Sequence, residues 1–233
     1  MKFYLLLLTS FLFACNSKTA ITSHTPKGTS INASGYARVI SDLGADISIE
    51  VNPDSPYYCY LQCEKGVENL IAFDIINDEL HIDAKEDINT REPIIISMRV
   101  KELKSINNKS SGAIDITGFA KAEKFDIDNL GSGKITLNHL QSDLLKINSN
   151  GSGNVTVDGR TKELITKLSG SGNINAFGLK TDNASSEIVG SGNIEVSPIS
   201  NLDAKIVGSG NIYYKGSPNI KNNITGSGML SAK

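Results

Sequence analysis

Among 233 residues, 23 basic side chains stand against 25 acidic ones, and no basic patch or stripe marks the chain for nucleic acid. Of the three cysteines, Cys59 and Cys63 lie near each other, and two ligands alone make a poor zinc site. Past residue 15 no apolar run approaches the roughly 18 residues of a bilayer-spanning helix.

The N-terminus reads as an address. Met1-Lys2 precedes an apolar run from Phe3 to Phe13, broken only by Thr9 and Ser10, which meets Ala14-Cys15. A short basic head and an apolar core of this length form a secretory signal rather than a membrane span. Leu12-Phe13-Ala14-Cys15 resembles a bacterial lipobox, with Phe13 bulkier than the usual small residue. On that reading residues 1–14 are removed, Cys15 carries the lipid, and residues 15–29 are a polar tether. The other reading is an ordinary signal peptide with a coincidental cysteine. Loss of Lys2 with the leader leaves 22 basic residues against 25 acidic, a mature charge of −3.

Residues 30–109 contain short β-rich runs: Tyr36–Ile40, Ala45–Val51, Tyr57–Leu61, Ile71–Ile76, Leu80–Asp83 and Ile94–Val100. Asn77-Asp78 is a hairpin-turn signal, Leu43-Gly44-Ala45-Asp46-Ile47 reads as a degenerate corner, and Pro53, Pro56 and Pro93 oppose long helices. The region is expected to form irregular coils and a cap for the C-terminal half of the chain. On one straight strand Cys59 and Cys63 would share a side about 13 Å apart, too far for a disulfide. They pair only if the chain turns between them, and buried free thiols are the plainer reading. Alternation puts at least one of Tyr57, Tyr58 and Tyr60 inside, and one of Tyr213 and Tyr214, so packing accounts for them better than sugar stacking.

Residues 110–233 are a repeat array. Gly-Ser-Gly recurs at Gly131, Gly151, Gly170, Gly190, Gly208 and Gly226, in steps of 20, 19, 20, 18 and 18 residues. A fixed period of this size is the signature of a solenoid, in which one coil cannot bury its apolar face alone. Counted from the first glycine, +4 is Ile135, Val155, Ile174, Ile194, Ile212 and Leu230, and +6 is Leu137, Val157, Ala176, Val196 and Tyr214. Position −2 gives Leu168, Ile188, Ile206 and Ile224, and −6 gives Phe125, Leu145, Leu164, Ala184, Leu202 and Ile220. A spacing of two is strand spacing. Each coil is therefore predicted to hold two short strands on either side of the corner, with like positions stacked into apolar columns. Ser110-Ser111-Gly112, with Ile114 and Ile116 after it, is a drifted earlier coil.

Glycine suits the corner because tight reversal favours positive φ and stacked backbones leave no room for a Cβ. The residue after the corner is Asn154, Asn173, Asn193 and Asn211, and a ladder of stacked amides is expected there. A phosphate-cradling loop needs a third glycine at fixed spacing and a helix after it, and neither is present, so no nucleotide site is expected. Calcium-binding β-rolls repeat every nine residues with Asp after the glycines, where this chain has Asn.

With Gly-Ser-Gly-Asn-Ile at 170–174, 190–194 and 208–212, its variant at 151–155, and Asn77-Asp78-Glu79-Leu80-His81-Ile82, the chain resembles the head-GIN-domain auto-transporter adhesin family, a domain of unknown function in Bacteroidota lipoproteins. The resemblance spans residue 30 to the C-terminus. It implies a right-handed parallel β-helix-like fold related in shape to pectin lyases, and no catalytic residues.

No reactive constellation is expected. His24, His81 and His139 lie in the tether, a strand and a coil, so a shared metal site is not predicted. The outward column at −3 reads Asp128, Asn148, Lys167, Glu187, Lys205 and Asn223, and its alternating signs suit pairing between coils. Asp126 and Asp128 share a strand, whereas Asp143, Asp158, Asp182 and Asp203 are read as sitting at different phases of the repeat. The reading is thus an all-β, single-domain parallel β-solenoid on a lipid anchor at Cys15, an outer-membrane lipoprotein with no cofactor. It presents a non-catalytic binding, adhesion or structural surface to a glycan or an envelope protein. The alternatives are a polysaccharide-active β-helix enzyme, which a groove holding two carboxylates and an Arg or Lys would revive, and an envelope-signalling accessory protein.

Overall fold

The computed structural model describes residues 28–233; the leader, Cys15 and His24 lie outside the described residues. Among the described residues seventeen strands succeed one another in chain order: β1 (Thr29–Ser30), β2 (Arg38–Ser41), β3 (Asp46–Val51), β4 (Tyr58–Gln62), β5 (Ile71–Ile76), β6 (Glu79–Ala84), β7 (Ile95–Val100), β8 (Ser105–Asn108), β9 (Ile114–Gly118), β10 (Ala120–Asn129), β11 (Ile135–Gly151), β12 (Asn154–Gly170), β13 (Asn173–Gly190), β14 (Asn193–Gly208), β15 (Asn211–Tyr214), β16 (Asn219–Gly226) and β17 (Leu230–Ala232). One 3-10 turn, Val67–Leu70, is the only helical element among the described residues.

The chain is a parallel β-solenoid. Strands leading into a corner stack as one column: β6, β2, β8, then the C-terminal halves of β10 to β14, then β16. Strands leaving a corner stack as a second: β7, β3, β9, the N-terminal halves of β11 to β14, β15 and β17. The two strand segments expected in each coil are present, and from β11 to β14 the strand also runs on between them, through register shifts such as that between Leu137 and Leu140.

Chain order and stacking order part company at the N-terminal end. The coil of β2 and β3 lies between the coil of β6 and β7 and the coil of β8 and β9. The chain thus enters in the second layer, loops outward to build the end layer, and returns to lay down the third. β4 runs antiparallel on β7, β1 antiparallel on β4, and β5 antiparallel on β6. The β5–β6 hairpin turns through Asn77 and Asp78 at φ 51° and 69°, a pair of left-handed residues of the kind that matches strand twist.

The Gly-Ser-Gly corners divide their work between the two glycines. Gly151, Gly170, Gly190, Gly208 and Gly226 hold φ between 117° and 139°. The second glycine does not: at Gly192 the constraint is the neighbouring layer, where a Cβ would overlap the carbonyl oxygen of Gly172. The same carbonyls bind the corners together, since Gly170 O accepts from Ser191 N at 3.0 Å and Gly192 N at 3.1 Å.

Inside, +4 and +6 form fully buried columns that end at half-buried Leu230 and Tyr214. Two further inward columns exchange character along the axis. At −2, buried Asn108, Asn129 and Ser149 give way to Leu168, Ile188 and Ile206, while at −4 Ile127 and Ile147 give way to Thr166, Ser186 and Ala204. Each buried polar group in these layers is short and most are bonded in place: Asn129 Nδ2 donates to Gly133 O at 2.8 Å, and Thr166 Oγ1 to Ser186 Oγ at 2.9 Å. The predicted amide ladder is present, with Asn173, Asn193 and Asn211 each donating to the asparagine one coil before at 2.9 to 3.0 Å.

Candidate binding groove on the lateral face

Away from the corners, a groove of about 630 Å³ crosses successive coils on one side of the solenoid. Strand register builds it as two outward rows. Lys121, Gln141 and Arg160 stack as one row and Lys180 continues it. One alternation further along lie Glu123, Asp143 and Lys162, and Glu102 and Lys104 close the N-terminal end. Between the rows Ser142 and Thr161 point inward, Ser142 Oγ donating to Thr161 Oγ1 at 3.0 Å, so the floor is a buried hydroxyl column. Lys162 Nζ sits 2.8 Å from Asp143, Lys104 Nζ 3.0 Å from Glu102, and Arg160 3.9 Å from Asp182. The Asp143 carboxylate, by hydrogen bond and then by charge, holds the Lys162 ammonium above its ordinary range.

This corrects the expectation that Asp143 and Asp182 fall at different phases. Both stand eight residues before their corner, as do Glu123 and Lys162, and Lys162 lies between the two aspartates in one row. The column was countable from the sequence, but tracking the aspartates alone hid a row that mixes Asp, Glu and Lys. A groove with carboxylates beside Arg and Lys therefore exists.

Beside it lies an apolar ledge of about 340 Å³ formed by Phe119, His139, Leu140 and Gly159, sharing Gln141 and Arg160 with the groove. Phe119 is 53% exposed. The chain bends sharply here: His139 has φ 59° and Gly159 φ 124°. Asp158 fixes the bend by accepting from the His139 backbone N–H at 2.6 Å, and a Cβ on Gly159 would overlap the Leu140 carbonyl.

The other sequence candidates are spread over the molecule. In the −3 column Lys205 pairs with Glu187 at 2.7 Å and Asn148 donates to Asp128 at 2.8 Å. Asp126 accepts from Lys124 at 2.7 Å. His81 lies on β6 beside Glu79, 3.7 Å away, far along the axis from His139. Among the described residues no three His, Cys, Asp or Glu side chains are placed to hold a metal. Among the described residues Cys59 and Cys63 are both free thiols; Cys59 is buried, and burial pushes its thiol up to about 12. Tyr57 and Tyr214 pack against the core, whereas Tyr58 and Tyr60 face outward with ring centroids 5.6 Å apart and Arg99 lies 4.7 Å over Tyr58.

Residues 31–218 match the family described as "Putative auto-transporter adhesin, head GIN domain". The chain belongs to that family. A "putative adhesin" from Bacteroides fragilis superposes with a TM-score of 0.84 at 22% identity, covering 88% of this chain and 95% of that one. A "putative lipid binding protein" from Parabacteroides distasonis gives 0.71 at 27% identity, covering 91% and 98%. A "putative adhesin" from Parabacteroides merdae gives 0.70 at 21%, covering 88% and 95%. No curated protein matches. The final β16–β17 layer lies beyond the family match. Among the described residues no helix is long and apolar enough to cross a membrane.

Proposed function

We propose that this head-GIN protein is a cell-envelope lipoprotein, anchored through Cys15 at the outer membrane, whose solenoid is a non-catalytic adhesion surface for a charged glycan. The observation that carries the reading is the lateral groove. It runs across stacked coils, so a linear polymer laid in it meets a recurring set of donors and acceptors. Arg160 and Gln141 offer hydrogen bonds, Lys121 and Lys162 offer charge, and exposed Phe119 at the margin offers a ring face for a sugar. Glycoside cleavage by two carboxyls needs one to donate a proton and another to act as base or nucleophile. Here Glu102 and Asp143 are each occupied by a lysine ammonium, an arrangement suited to holding rather than cutting.

The test is a glycan array probed with the intact protein, and then titration of the best ligand. Arg160→Ala and Phe119→Ala are each expected to weaken binding by about tenfold, since a lost charged hydrogen bond or stacking contact is worth about 1–2 kcal/mol. Release of oligosaccharide, abolished by Asp143→Asn or Glu123→Gln, would overturn the non-catalytic reading. Metabolic labelling with a fatty-acid analogue tests the anchor: wild type should label and Cys15→Ala should not.

A second reading has its own support. The ledge of Phe119 and Leu140 with Arg160 at its rim would also suit an amphiphile, and one similar structure carries a lipid-binding name. Binding to lipid vesicles that depends on Phe119, with a blank glycan array, would favour it.

A further inference from the structure

The outward row that begins in the lateral groove does not stop where the groove does. Strand register carries it from Lys121, Gln141 and Arg160 to Lys180 and then Ser197. Lys215 follows, its backbone N–H donating to Val196 O at 3.0 Å, which sets it beside Ser197 in the next coil. Lys121, Arg160, Lys180 and Lys215 are all exposed, and the row holds no acidic residue. It is invisible along the chain because each coil contributes one residue to it. Past the groove, Lys180, Ser197 and Lys215 line a second hollow of about 380 Å³, with exposed Ile199 at its margin. The Lys215 ammonium also lies 4.3 Å from the centroid of the Phe177 ring.

Like charges are stacked here, which they are not in the −3 column. There Lys167, Glu187 and Lys205 alternate in sign from coil to coil, whereas Arg160 and Lys180 stand directly opposite each other, at a cost in stability. Arg160 has Asp182 3.9 Å away, while among the described residues Lys121, Lys180 and Lys215 form no ion pair. Residues 1–27 contain no Asp or Glu, so that segment brings no carboxylate to the row.

Resting on the glycan-binding reading of the groove, we infer that the ligand is a linear polyanionic polysaccharide, bearing carboxylate or sulfate groups, laid parallel to the solenoid axis along this whole row. An anionic chain offsets the repulsion that stacking like charges leaves in the free protein. The step between coils, about 4.8 Å, is close to the length of one sugar unit in an extended chain, so successive units meet successive members of the row. From Lys121 on β10 to Lys215 after β15 there are five such steps, about 24 Å in all, which is room for five or six sugars. The flanks favour a narrow ligand. Glu123, Asp143 and Asp182 stand two residues further along the coil on one side, and a flat anionic bilayer that reached the cations would press its phosphates onto these carboxylates. A single chain lies clear of them, with Phe119 and Phe177 on its other side to meet the apolar faces of sugar rings.

The full chain, carrying Cys15→Ala so that no acyl group intervenes, is titrated with oligogalacturonates of increasing length, and with dextran sulfate beside neutral dextran. Affinity is expected to climb with length and level off near about six units, to favour dextran sulfate over dextran, and to fall about tenfold or more from low to high salt. Lys180→Gln/Lys215→Gln lies outside the groove. It should weaken the longer oligomers about tenfold, through the loss of two charge-assisted contacts, and bring the plateau down to about three units. Lys167→Gln/Lys205→Gln makes the same change of charge in the −3 column and should bind as wild type, with thermal unfolding of both variants unchanged. If Arg160→Ala weakens binding while Lys180→Gln/Lys215→Gln binds every length as wild type does, the groove stands and the extended track is overturned. If Arg160→Ala is silent as well, both fall. Equal loss in the −3 column variant, no preference for dextran sulfate over dextran, tighter binding to phosphatidylglycerol vesicles, or single-stranded DNA bound as tightly as dextran sulfate would each overturn the inference.

Discussion

The array from residue 110 onward and the region before it reach the same cross-section by different routes. In the array each coil lies on the one before it, and partners such as Val155 and Ile174 are one repeat apart. Before it, Val39 pairs with Ile106 and Ile49 with Ile116, each 67 residues distant. The array can therefore propagate layer by layer, whereas the N-terminal coils close only after the excursion through β4 to β7 has returned. The first region is specified by a repeated local rule; the second is held by contacts that no local rule describes. Corner chemistry reflects this division. At Gly192 a Cβ has no room, but at Gly44, the corner between β2 and β3, the nearest atom would be Ser111 Oγ at an ordinary 3.6 Å.

The largest expected effect tests that difference directly. Gly192→Ala forces a methyl into the Gly172 carbonyl, so two layers must part and their corner hydrogen bonds lengthen. A loss of about 3 kcal/mol or more is expected, with Gly192→Val worse. Gly44→Ala should stay within about 0.5 kcal/mol. Thermal or denaturant unfolding of the two proteins checks this; equal destabilisation would mean that the corners are not where the regions differ.

What was legible in the sequence divides along the same line. The Gly-Ser-Gly period, the apolar columns and the Asn154–Asn211 ladder are each one residue type recurring at one phase, and each was visible by counting. The hairpin at Asn77-Asp78 and the strands around it were legible too, because turn and strand propensities are local. The order of layers was not. Nothing in Arg38–Ser41 says that it stacks between Glu79–Ile82 and Ser105–Asn108, since β-strands of like pattern are interchangeable until the connections are known. The groove was missed for another reason: Glu123, Asp143, Lys162 and Asp182 share a position but not a residue type.

A middle-sized effect separates buried from exposed amides in the two halves of the array. Asn129 is fully buried and its Nδ2 satisfies Gly133 O, so Asn129→Ala leaves a buried carbonyl without its partner. A loss of about 2 kcal/mol is expected. Asn173→Ala breaks an exposed ladder whose groups can turn to water, and should cost about 0.5 kcal/mol. Similar values at both positions would show that the ladder, rather than the buried column, ties the coils together.

The smallest effect concerns two carboxylates, one in each region. Glu50 on β3 accepts from Arg99 on β7 at 2.7 Å, with Asn52 and Tyr58 nearby. That hydrogen bond, foremost, holds its carboxyl below the ordinary glutamate range. Glu187 is held low in the same direction by Lys205. A lowered folded-state pKa means that ionisation favours the native state, so the contribution is fully present above the unfolded value of about 4.3 and fades as pH falls through the folded one. Glu50→Gln and Glu187→Gln should therefore each flatten the acid limb of the stability curve. The effect should be under about 1 kcal/mol, because both pairs are partly exposed and screened. The Glu50 pair bridges β3 and β7, 49 residues apart in sequence for Glu50 and Arg99, whereas the Glu187 pair joins consecutive coils. If the N-terminal coils are the later and weaker part to assemble, Glu50→Gln should expose amides of β2, β3 and β7 to hydrogen exchange as pH falls, while Glu187→Gln leaves the array protected. Exchange rising equally in both halves would mean that the molecule opens as one unit.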